Sequence, residues 1–110
     1  ARKNNGAVEY LIGSHKKLYD HVPSYAPGSS QKVKKLGYLK KKFKKKMFNL
    51  DPGDCLIHHS QIVHGSKRNL SKLSRRGFTV QVTPKNVKID MKKFKKYQES
   101  LTKQIKMRKN

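Results

Sequence analysis

Three histidines fall within seven positions of the stretch CLIHHSQIVHGSKRN: His58, His59 and His64. Imidazole is a common metal ligand, and a histidine carried on a strand projects into a cavity with little freedom. An iron(II) centre of the facial type needs two histidines and one carboxylate on one side of the metal. The opposite positions stay open for co-substrate and dioxygen. Two of those ligands usually come from an H-x-D or H-x-E pair. The residues two after His15, His21, His58, His59 and His64 are Lys17, Pro23, Ser60, Gln61 and Ser66. Residues 1–110 therefore do not encode the full triad.

The elements that would position these side chains are mostly short strands. AVEYLIG (7–13) reads as a strand closed by Gly13, and MFNL (47–50) as another. DPGD (51–54) is a turn, because Pro52 fixes φ and Gly53 takes a positive φ. CLIHHS (55–60) follows as a strand, with IVH (62–64) as a third or its continuation. RRGFTVQV (75–82) alternates most clearly. It places Arg76, Phe78, Val80 and Val82 on one face and Arg75, Gly77, Thr79 and Gln81 on the other. That is the pattern of a strand with one face in a core and the other lining water or a polar cavity.

Between these runs, residues 14–31 read as a long irregular loop around Pro23, Pro27 and Gly28, and residues 65–74 as a polar loop. Val33, Leu36, Leu39 and Phe43 are spaced for a turn or two of helix that Gly37 weakens. At the end of the sequence, Met91, Phe94, Tyr97, Leu101 and Ile105 recur at helical spacing behind Asp90, a good N-cap. This is a basic amphipathic helix over 90–110, expected to pack its apolar stripe on the domain. Short strands and turns followed by one helix favour a β-sandwich or part of one.

The composition sets the outer bounds. The chain has 110 residues, 28 Lys+Arg against 6 Asp+Glu, and a formal net charge of +22. Such a surface attracts phosphate-rich partners, which makes nucleic-acid binding the rival class. Nothing but charge supports it. The cations are overwhelmingly lysine, whereas bidentate readout favours arginine, and no Gly-rich or aromatic binding motif accompanies them. The dense run 32–46 reads as a solvated face or sheet edge, where lysines also discourage strand-to-strand association. One cysteine, Cys55, rules out an internal disulfide and fits a reducing, cytoplasmic setting. It reads as a small buried apolar residue. No apolar run reaches the roughly 18 residues of a membrane span.

Two blocks carry a specific likeness. NNGAVEYLIGSHK (4–16) resembles the N-G-x(5)-P-G-[ST]-H-K segment of the phytanoyl-CoA dioxygenase family, with Ile12 in place of the usual proline. PGDCLIHHSQIVHGSKRNLSKLSRR (52–76) resembles that family's G-D-x(4)-H-x(4)-H-G-S-x(2)-N-x(5)-R block, in the right order along the chain. The resemblance implies an Fe(II)- and 2-oxoglutarate-dependent oxygenase with a double-stranded β-helix (jelly-roll, cupin-like) fold, acting on a small-molecule substrate. It implies that His64 is the distal iron ligand. It implies that Ser66 hydrogen-bonds 2-oxoglutarate and that Arg75 pairs with the far carboxylate of 2-oxoglutarate. A planar guanidinium forks onto a carboxylate in two charge-assisted bonds. Arg76 competes for that role, but strand alternation puts Arg75 on the polar face. His59 matches a histidine of the preceding strand and reads as a pocket wall, while His58 reads as packed or solvent-facing.

The family's H-x-D pair belongs upstream of the N-N-G segment. Together with a first residue that is Ala rather than Met, this leads to an expectation of the C-terminal part of a longer oxygenase. Residues 1–89 would be the later portion of the double-stranded β-helix and 90–110 the helix. The alternatives are a highly basic nucleic-acid-binding protein and a β-sandwich binding module that has lost its catalytic site. Asn69 reads as a residue that caps its own loop.

Overall fold

The computed structural model describes residues 1–24 and 31–109. They form two compact units, Ala1–Tyr19 with Lys35–Phe78, and Asp20–Lys34 with Thr79–Asn110.

The first unit is built on β1 (Val8–Leu11). Its apolar and aromatic residues suit a half-buried pleated surface, and left-handed glycines bound it, Gly6 at φ 81° and Gly13 at φ 87°. β1 is the middle strand of a three-stranded antiparallel sheet, between β4 (Lys45–Met47) and β5 (His64–Ser66). Tyr10 pairs with Lys46 on one side and His64 on the other, and Val8 pairs with Ser66. Because side chains alternate between faces, Val8, Tyr10, His64 and Ser66 share one face of the sheet. Glu9 and Leu11 lie on the opposite face.

The core is small: Ala7, Tyr10, Leu11, Leu39 and Val63 are buried. Burying a side chain as large as Leu or Val contributes about 1.5–3 kcal/mol. Leu39 belongs to α1 (Leu36–Lys42), which is too short to persist alone and is held by that one buried residue. The amide of Phe43 donates to the Leu39 carbonyl at 2.9 Å and ends it. Lys40, Lys41 and Lys42 occupy its last turn, where the helix dipole favours cations. β4 is an edge strand, and its Lys45 and Lys46 are exposed, as expected for the charged run.

The DPGD turn forms as its residues dictate. The Asp54 amide donates to the Asp51 carbonyl at 3.0 Å, the Asp51 amide to Asp54 Oδ2 at 2.8 Å, and Gly53 sits at φ 95°.

Several expected strands differ. The MFNL strand is shifted to Lys45–Met47, and the IVH strand to His64–Ser66. Residues 55–59 form no strand, and Cys55 is exposed rather than buried. Residues 75–82 are irregular, with Phe78 at 94 %, Val80 at 70 % and Val82 at 90 % exposure. Alternation records which face a strand would bury, but a strand exists only as one side of a ladder. Among the described residues nothing pairs with 75–82. The described residues form small antiparallel sheets and a C-terminal helix.

The second unit contains the hairpin of β2 (His21–Pro23) and β3 (Gln31–Val33), within the stretch expected to be a loop. Residues 25–30, including Pro27 and Gly28, lie outside the described residues. The amide of Lys34 donates to the Asp20 carbonyl at 2.8 Å and closes the open end. α2 (Met91–Lys109) begins as expected, with the Lys93 amide donating to Asp90 Oδ1 at 3.0 Å. The helix does not bury its apolar stripe, for Phe94 stays 43 % and Ile105 48 % exposed, while Gln104 is buried and donates to the Ser24 carbonyl at 3.2 Å. Two three-residue strands, about 10 Å long, cannot cover a helix that runs roughly 28 Å.

Candidate functional site

The site is assembled where the chain on either side of β1 meets the chain around β5. The amide of Leu11 donates to the Val63 carbonyl at 2.9 Å, and the Val63 amide donates to Ser14 Oγ at 2.8 Å. Ser14 is fully buried. It stands at the start of a single 3-10 turn, Ser14–Lys16, behind left-handed Gly13. The Val63 carbonyl, in the residue before His64, is thereby tied to the end of β1, and the Val63 amide to the G-S-H-K segment. The serine of that segment was not singled out from the sequence; its signal is its fixed place after Gly13.

The other end of β1 is fastened in the same way. The Leu70 amide donates to the Asn4 carbonyl at 2.9 Å. A Cβ on Gly6 would stand 2.6 Å from the Lys67 carbonyl oxygen. Only glycine allows both this approach and its positive φ. Asn69 organises the loop itself: its Oδ1 accepts from the Ser71 amide at 2.9 Å, and its Nδ2 donates to the Leu73 carbonyl at 2.7 Å. The residues of N-N-G and of H-G-S-x(2)-N are therefore two sides of one contact.

On the sheet face above these ties, Tyr10 is a platform for other rings. Its centroid lies 5.9 Å from His64, nearly stacked at 27°, and 5.2 Å from His58. His58 and His64 are 5.1 Å apart. Burial raises the Tyr10 phenol above its ordinary value of 10.0, because the charged form would lose solvation. His64 Nδ1 lies 2.9 Å from the Ile62 carbonyl. A carbonyl oxygen only accepts, so in the neutral ring Nδ1 carries the proton and the Nε2 lone pair remains for a ligand.

The other expected site residues lie as follows. Ser66 is exposed on β5, on the His64 face. His59 packs on His15 at 5.4 Å and its Nδ1 accepts the Gln61 amide at 3.1 Å. The histidine brought to His64 is thus His58. Arg75 stands in the exposed irregular segment and makes no ion pair or hydrogen bond among the described residues. An iron triad needs three donors on one side of the metal. His64 fits as one ligand, but no group of three His, Cys, Asp or Glu side chains among the described residues is placed to hold a metal. The set does not complete the centre.

The phytanoyl-CoA dioxygenase (PhyH) family pattern matches residues 1–77, which contain both interlocking blocks. The chain belongs to the phytanoyl-CoA dioxygenase family. It is also similar to the dioxygenase cdmD of Talaromyces verruculosus, 31 % identical over 83 residues. That match covers 76 % of this chain and 22 % of the relative, so the chain spans about a fifth of the relative's length. No solved structure matches it. No helix among the described residues is long and apolar enough to cross a membrane.

Proposed function

We propose that the chain is the His64-bearing, co-substrate-holding part of an Fe(II)- and 2-oxoglutarate-dependent oxygenase with a jelly-roll fold. The H-x-D pair comes from polypeptide outside residues 1–110, which agrees with a match that covers about a fifth of a similar dioxygenase. The reaction is hydroxylation of a small organic molecule, coupled to oxidative decarboxylation of 2-oxoglutarate to succinate and carbon dioxide. His64 serves as the distal iron ligand. Ser66 donates a hydrogen bond to 2-oxoglutarate, and Arg75 forks onto its far carboxylate. His59 lines the pocket wall.

The observation that carries this reading is the interlock of the family's two motif blocks, which ends on His64 with Nε2 available. The test is 2-oxoglutarate binding to the longer oxygenase that contains the H-x-D pair. Arg75→Ala should weaken binding by about 2–4 kcal/mol, the cost of leaving a charged partner unpaired. Normal binding by Arg75→Ala together with loss in Arg76→Ala would overturn the assignment.

A further inference from the structure

The histidine beside His64 is one the family pattern does not supply. His58 precedes His64 by six residues, in an irregular segment, yet its ring meets both Tyr10 and His64. Its Nδ1 lies 3.2 Å from the His59 carbonyl, so in the neutral ring that nitrogen carries the proton. His64 is held in the same tautomer by the Ile62 carbonyl. Both rings therefore keep an Nε2 lone pair, and both are exposed to solvent. His59 is the opposite case, since its Nδ1 is already an acceptor for the Gln61 amide.

The centroid spacing meets one requirement of a shared ion, and it lies equally within the roughly 4.5–7 Å at which aromatic rings pack. Two imidazoles that bind one cation through Nε2 at about 2.1 Å, at right to tetrahedral angles, have ring centroids roughly 4.5–5.3 Å apart. The observed separation is 5.1 Å, with the ring planes inclined at 50°. Tyr10, buried at 6 % exposure, supports both rings from below. Imidazole nitrogens without a carboxylate or thiolate favour zinc, nickel and copper over magnesium, calcium or manganese.

We propose that His58 and His64 form a two-imidazole site for a borderline divalent cation such as Zn²⁺ or Ni²⁺, with water completing the coordination. The site needs neither 2-oxoglutarate nor the H-x-D pair. It stands or falls apart from the oxygenase reading, which the Arg75 substitution tests.

The experiment is titration of residues 1–110 with Ni²⁺ and with Zn²⁺, read by calorimetry and by the ¹⁵N shifts of the histidine rings. His58→Phe and His64→Phe keep a ring against Tyr10 and remove the lone pair, and circular dichroism checks that each remains folded. The expected result is one ion per chain, with shifts at Nε2 of both His58 and His64. Each Phe variant should weaken binding at least tenfold, about the least that loss of even an outer partner of a metal ligand costs. His21→Ala should bind as the parent does. Parental affinity in His58→Phe, an equal loss in His21→Ala, or no binding to the parent chain would each overturn the proposal.

Discussion

Ser14 and Gly6 fix the position of His64 without touching it. Ser14 Oγ is the acceptor for the buried Val63 amide. In Ser14→Ala that donor loses its partner inside the core, and an unsatisfied buried group costs about 1–3 kcal/mol. Urea unfolding should show that loss, and hydrogen exchange should show the Val63 amide deprotected more than those of β1. At Gly6 the obstacle is steric. Gly6→Ala puts a Cβ against the Lys67 carbonyl in a left-handed conformation. The conformation alone costs about 1–2 kcal/mol, so the variant should lose at least that much in the same assay. Asn69 is the residue whose sequence reading and geometry agree most simply, because its side chain ties its own loop.

At the scale of elements, local signals and pairing separate. α2 starts where Asp90 says it should, and its N-cap is a local matter. Asp90→Ala should remove about 1 kcal/mol from the helix, seen as lower far-ultraviolet ellipticity and a lower midpoint of unfolding. The DPGD turn is also local and forms as written. The strand over 75–82 is not local. Its alternation is as clear as that of β1, but β1 has β4 and β5 beside it while 75–82 has no neighbour among the described residues. The apolar stripe of α2 fares likewise, since the short β2–β3 hairpin offers too little surface to cover it.

Charge acts on the whole molecule. A net +22 over 110 residues repels itself, and only three ion pairs are formed among the described residues: Arg2–Asp51, Lys45–Glu9 at 3.4 Å and Lys67–Glu9 at 3.9 Å. Raising NaCl from about 20 mM to about 200 mM shortens the screening length severalfold. The thermal midpoint should therefore rise with salt, and a rise of about 4–8 °C would correspond to about 1 kcal/mol. The same titration weighs the nucleic-acid alternative, whose affinity must fall steeply over that range.

The sequence by itself determined the family, through two motif blocks in order, and with it His64 as the candidate ligand. It also determined the turn at 51–54 and the start of α2, because capping and turn chemistry act within four residues. Only the tertiary structure decided that Gly6 faces the loop after His64, that Ser14 holds Val63, and that His58 rather than His59 stands beside His64 on Tyr10. The contacts that tie β1 and its flanks to this region join residues roughly fifty to sixty apart. Sheet register sets them, and periodicity along one strand carries no record of which strand will lie next to it.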